Sequence, residues 1–167
     1  MRDKVYLVGF MAAGKTSAAR AVAARLQWRA EDIDELIEAR ERMTVAEIFA
    51  RFGEPYFRAA EREMLRVLLP LRRTVVATGG GTFADQENRA SIMLDGLSVW
   101  LDVPFEEILT RLPPGGSRPL AADLAQLERL YHLRRAAYQQ AHVRIDAAGA
   151  RVEDVAESIL DALSGSL

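Results

Sequence analysis

Apolar residues along this chain follow two rhythms. Short runs rich in apolar residues predict buried strands: Val5 to Val8 stops at Gly9, Thr74 to Thr78 at Gly79-Gly80-Gly81, Ser98 to Val103 at Pro104, and Val143 to Asp146 before Ala147-Ala148-Gly149. Another strand is expected over Gln27 to Glu31. Between these runs the apolar residues recur at helical spacing. Ala18, Ala19, Val22, Ala23 and Leu26 form one stripe behind the first strand, and further helical patterns cover about 33–41, 44–51, 55–70, 104–112 and 123–141. Val152, Val155, Ala156, Ile159, Leu160 and Leu163 keep the i, i+3, i+4, i+7 spacing of an amphipathic helix docked on a sheet. Strand and helix alternate throughout, which predicts an α/β fold with a parallel sheet covered on both faces. No repeat is present. Pro113-Pro114-Gly115-Gly116-Ser117-Arg118-Pro119 reads as a loop inside the domain, with two glycines that permit hinge-like motion.

The length of 167 residues suits a single domain over 1–167, and a chain that is 50% hydrophobic and 28% charged is apolar enough to build a core. With 22 Lys+Arg against 24 Asp+Glu there is no global field to gather nucleic acid or an anionic membrane, so neither is an expected partner. Anion binding must therefore be local. The absence of cysteine rules out disulfides, thiol catalysis and thiolate-held zinc, and His132 and His142 are too few for most metal centres; both are expected on the surface. A metal, if used, takes oxygen ligands. The first apolar run is too short for a secretory h-region and no stretch reaches membrane-spanning length, so a cytoplasmic protein is expected.

Gly9-Phe10-Met11-Ala12-Ala13-Gly14-Lys15-Thr16 matches G-x-x-x-x-G-K-[ST] between a predicted strand and a predicted helix, where a phosphate-cradling loop belongs. Backbone N–H groups of such a loop surround phosphates, Lys15 reaches the β and γ oxygens, and the Thr16 hydroxyl can ligate Mg²⁺. Asp32 and Asp34 follow the second strand. In extended chain, residues two apart share a face, which would turn both carboxylates toward the phosphate loop, one for the Mg²⁺ water shell and one for the proton of an attacked hydroxyl; an N-terminal helix cap is the competing reading. Arg58 has Glu54 four residues before it and Glu61 three after, the spacing of simple surface pairs. Gly79-Gly80-Gly81 ends a strand at the edge where open α/β sheets bind ligands, and lets a substrate approach the main chain. Arg129, Arg134 and Arg135 share a helix, and spacing alone does not say which of them faces a site.

Together these segments resemble shikimate kinase over Val5 to about Asp146. The resemblance is carried by Asp32-x-Asp34, Gly53-Glu54-x-x-Phe57-Arg58-x-x-Glu61, Gly79-Gly80-Gly81, Arg118-Pro119-Leu120 and Leu130-Tyr131-x-x-Arg134, in the family's order. It implies a nucleoside-monophosphate-kinase-like P-loop fold with a five-stranded parallel sheet flanked by helices, a substrate-binding helical region near 33–60 and a lid near 112–123. It further implies phosphorylation of the 3-hydroxyl of shikimate by ATP with Mg²⁺, by an enzyme expected to act as a monomer. Carried over by position, Lys15, Asp34 and Arg118 are the catalytic residues. Ala12, Ala13, Gly14, Lys15, Thr16, Ser17, Arg111, Arg118 and Arg151 would hold ATP; Asp34, Arg58, Gly79, Gly80, Gly81 and Arg134 would hold shikimate; Thr16 and Asp32 would serve the metal. The chain departs from the family at Ala12, where glycine is usual, at Ala121 and Ala136, and in the extra acidic neighbour Glu31. A gluconate-type or nucleotide kinase is the alternative enzyme, and an ATP-binding regulatory module the alternative class. The Gly53 to Glu61 and triple-glycine segments argue against the first, and Lys15, Asp34 and Arg118 against the second.

Overall fold

Five parallel strands lie in the order β2-β3-β1-β4-β5. The computed structural model describes residues 2–112 and 121–165. Along the chain these give β1 (Lys4–Val8), α1 (Lys15–Leu26), β2 (Arg29–Asp32), α2 (Ile33–Glu41), α3 (Val45–Phe52), α4 (Glu54–Leu68), β3 (Thr74–Ala77), α5 (Gln86–Asp95), β4 (Leu97–Asp102), α6 (Phe105–Arg111), α7 (Ala121–Tyr138), β5 (Val143–Asp146) and α8 (Val152–Gly165). The central strands β1, β3 and β4 are buried at every position, as their largely apolar runs require. The edge strands β2 and β5 mix exposed and covered residues, so β5, expected as a buried strand, buries only Ile145 because it has a neighbour on one side alone.

That difference explains where periodicity misplaces an element. The second strand begins at Arg29, not Gln27, because Gln27 takes a left-handed conformation (φ 55°) that caps α1 through its N–H to Ala23 and Ala24. Helix α7 ends at Tyr138, not at 141: Gln140 and Ala141 bond three residues back, to Ala137 and Tyr138, in tightened turns. Helix α5 falls outside every predicted pattern. Among its larger apolar residues only Ile92 is fully buried, while Leu94 is 90% exposed, so no apolar stripe marks it. Its readable signal is a cap, the Asp85 carboxylate accepting from Asn88 N–H at 3.0 Å. Of the expected lid, residues 113–120, Arg118 among them, lie outside the described residues. Among the described residues no helix is long and apolar enough to cross a membrane.

The sheet order places the site. β1 lies between β3 and β4, so the chain leaves it toward opposite sides at different stages and a crevice opens beyond the strands' C-terminal ends. The phosphate loop follows β1, Asp32 and Asp34 follow β2, and the glycine triplet follows β3. Three motifs distant in sequence thus meet at one edge.

Candidate active site

The loop after β1 turns sharply because β4 crowds it. Gly9 adopts φ 151°, and a Cβ there would stand 2.9 Å from the Leu101 carbonyl oxygen. Gly14, at φ 90°, opens α1, whose N-terminus faces a cleft of about 300 Å³ that includes Lys15, Thr16, Asp32, Asp34 and Gly80. Lys15 is nearly buried, and its ammonium donates to the carbonyls of Gly9 at 2.5 Å and Phe10 at 2.9 Å. Burial lowers its pKa to about 8, against the pull of the Asp34 and Asp32 carboxylates. Ala12 holds φ 59°, left-handed backbone that costs an L-residue roughly 1–2 kcal/mol and glycine nothing. Ala12→Gly should therefore raise stability by about 0.5 kcal/mol once glycine's greater unfolded-state entropy is subtracted. Thermal melting checks this, and a lower midpoint in the glycine variant would contradict it.

Asp32 and Asp34 do not share one extended segment. Asp32 ends β2 and caps α2, its Oδ1 accepting from Glu35 N–H at 3.0 Å, while its Oδ2 accepts the hydroxyl of Thr16. Capping and contact with the phosphate loop, set against each other at the level of sequence, thus belong to two oxygens of one carboxylate. Asp34 lies in the first turn of α2, and its Oδ1 is buried without a hydrogen-bond partner. Burial, reinforced by Asp32, Glu61 and Glu38, raises its pKa to about 6 from 3.8, with Lys15 pulling the other way. Glu31 lines a separate hollow beside Asp32 with Arg20 and Glu35.

The glycine triplet is a contact surface. A Cβ on Gly79 would stand 2.7 Å from Asp34 Oδ1 and 2.9 Å from Glu61 Oε2; one on Gly80 would stand 3.1 Å from Arg134 Nη1; one on Gly81 would collide with the Arg58 guanidinium, its Cζ at 2.7 Å. Asp34, Arg58 and Arg134, from three helices, therefore converge on three consecutive glycines. The pairs expected from spacing are also made, Arg58 with Glu54 at 3.2 Å and Glu61 at 2.7 Å. Glu61, only 1% exposed, also accepts the Thr82 hydroxyl at 2.8 Å, so a surface-type pair has become a buried brace. Sequence reasoning did not give Glu61, Thr82 or Tyr138 a place at the site; the Glu61 position in the Gly53 to Glu61 motif was the one available signal. With Arg58 holding the acceptor, as the family resemblance implies, Gly81→Ala should lower kcat/KM for the acceptor at least tenfold by displacing Arg58, with nucleotide KM changed less than twofold. Steady-state kinetics in both substrates test it, and equal losses would place Gly81 elsewhere.

On the other side of the loop, Ala12, Ala13, Gly14 and Ser17 continue into a cavity of about 330 Å³ walled by Arg111, Ala147, Ala150 and Val155. Arg111 donates to the Ala12 carbonyl at 3.2 Å and pairs with Glu107 at 3.0 Å, which brings it to the loop. Arg151 is not brought in: its exposed guanidinium pairs with Asp154 at 3.2 Å, and it is absent from the cavity wall although Ala150 and Val152 line it. Of the arginines on α7, Arg134 faces Gly80, whereas Arg135 is held by Asp102 at 2.5 Å and lies over Trp100. His132 and His142 are both exposed, as expected.

Comparison with known proteins agrees with this geometry. The family model described as shikimate kinase matches residues 11–164. A shikimate kinase of Geobacter metallireducens is 42% identical over 164 residues, spanning 96% of this chain and 92% of the relative. The solved shikimate kinase from Acinetobacter baumannii, in complex with shikimate, superposes with a TM-score of 0.92 at 32% identity, covering 99% of this chain and 95% of that one. A thymidylate kinase from Candida albicans shares the fold alone, at 13% identity and a TM-score of 0.59. The five-stranded parallel sheet is thus that of nucleoside-monophosphate-kinase-like P-loop enzymes, and within that fold the match over nearly the full length means that the chain belongs to the shikimate kinase family.

Proposed function

We propose that this chain transfers the γ-phosphoryl group of ATP to the 3-hydroxyl of shikimate, giving shikimate 3-phosphate and ADP. The observation that carries the reading is the convergence of Asp34, Arg58 and Arg134 on Gly79 to Gly81, beside a cleft that Asp34 and Gly80 line together with Lys15. ATP lies with its phosphates over Ala12 to Ser17 and its base toward the cavity of Arg111, Ala147 and Ala150. Two guanidiniums suit a carboxylate acceptor, and a structural relative that carries shikimate supports that choice. Asp34 takes the hydroxyl proton as the oxygen attacks the γ-phosphorus and the bond to the bridging oxygen of ADP breaks. Its lone buried oxygen is an acceptor awaiting a donor, which a substrate hydroxyl supplies. Lys15 exchanges its loop carbonyls for phosphate oxygens, and Arg118, by family resemblance, adds a further positive charge.

Thr16 and Asp32 fit Mg²⁺ carried by the nucleotide. Their oxygens already touch, the set is all oxygen, and among the described residues no cluster of three His, Cys, Asp or Glu side chains could hold an ion alone. When bound, the ion neutralises phosphate charge. The enzyme is taken to act as a monomer in the cytoplasm. A coupled assay of ADP release tests the function: release should depend on shikimate, and ATP turnover indifferent to shikimate would sink it.

A further inference from the structure

Arg134 and Tyr138 lie one turn apart on α7, and both reach the middle glycine of the triplet. The Tyr138 hydroxyl donates to the Gly80 carbonyl at 2.5 Å, and the Arg134 guanidinium lies beside the same glycine, its Nη1 3.1 Å from where a Gly80 Cβ would stand. The ring is 1% exposed and packs against Trp100 of β4 with centroids 6.1 Å apart. A buried ring wedged between sheet and helix has little freedom, so its hydroxyl is a fixed point between loop and guanidinium.

We infer that Tyr138 is a positioning residue for shikimate binding, holding the Arg134 guanidinium against Gly80 without neutralising its charge. The contrast with Arg58 supports this. Arg58 is braced by two carboxylates, Glu54 and Glu61. A carboxylate brace fixes a guanidinium but competes with an incoming carboxylate for its charge, whereas a neutral phenol fixes it and leaves the charge for the ligand. Among the described residues the ion pair of α7 runs from Arg135 to Asp102, while His132 lies 3.8 Å from Glu128. Burial raises the pKa of Tyr138 far above its ordinary value, so the phenol stays neutral at any working pH. With the Gly80 carbonyl as acceptor, the hydroxyl spends its proton on the loop and keeps its lone pairs free for the neighbouring guanidinium.

The inference rests on the proposed role of Arg134 at the substrate carboxylate, and the experiment separates the two. Tyr138→Phe keeps the ring and its packing and removes only the hydroxyl. It should raise KM for shikimate at least fivefold while KM for ATP stays within twofold of wild type. Acting through Arg134, it should add nothing further when combined with Arg134→Ala, which itself should raise shikimate KM more than tenfold. A purely structural tyrosine would lower the melting temperature and leave the two KM values moving together. Unchanged shikimate KM in Tyr138→Phe beside a large effect of Arg134→Ala overturns this inference alone, as do effects that multiply in the double variant. Wild-type shikimate KM in Arg134→Ala overturns the role given to Arg134 and this inference with it.

Discussion

Lys15→Ala is expected to lower kcat by about 10²–10³-fold, the loss typical when one preorganised charge-stabilising donor is removed from a transition state. The fold should survive. Lys15 is buried, but that burial disfavours its own charged form, so the deletion removes a desolvation cost along with two hydrogen bonds to Gly9 and Phe10. Circular dichroism and melting should show a native chain, and turnover near wild type would end the phosphate-loop reading. In the role proposed for it Lys15 acts as a cation, so kcat/KM should fall as pH rises through about 8.

Asp34→Asn should cost at least 10²-fold in kcat, because an amide cannot accept the proton of the attacked hydroxyl. It should also remove the acid limb of the wild-type profile, where activity is lost as pH falls through about 6. The two limbs belong to a coupled pair, since each group is among the other's electrostatic neighbours. Stability should move in the opposite sense to activity. The folded pKa of Asp34 lies above its unfolded value, so its contribution to stability is complete below about pH 4 and is lost as pH rises through about 6. At pH 8 the ionised carboxylate weighs against the fold. The asparagine variant should then be more stable by about 1 kcal/mol, after allowing for the attraction to Lys15 that it also gives up, or ~2–4 °C in midpoint. The gain should vanish toward pH 4. Melting curves at both pH values check it, and a variant less stable than wild type at pH 8 would mean that Asp34 is paired and not an unpartnered acceptor.

Most of the scaffold was legible because its cues are local. Val5 to Val8, Thr74 to Ala77 and Ser98 to Asp102 are buried on both faces, so each reads as a largely apolar run, and the glycine or proline after each marks its end. Gly9 to Thr16 carries its chemistry in eight consecutive residues, whose backbone forms the cradle without help from distant side chains. Elements with one exposed face were harder. Edge strand β2 is displaced by the left-handed cap at Gln27, and α5 buries too little apolar surface to leave a stripe.

The acceptor side of the cleft is a tertiary property. Nothing in the spacing of Arg58 separates a surface pair from a site residue; the difference arises where α4 presses Glu61 beneath Gly79 and Thr82, 21 residues away in sequence. Likewise Arg134 and Arg135 are neighbours of one type, and only the docking of α7 turns the first to Gly80 and the second to Asp102. The Tyr138 to Gly80 bond spans 58 residues. A strand, a cap or a phosphate loop is set by interactions within a few residues and can be read in order along the chain. Which side of a helix meets a ligand is set by packing among elements that join only when the sheet closes, and that information has no local period to betray it.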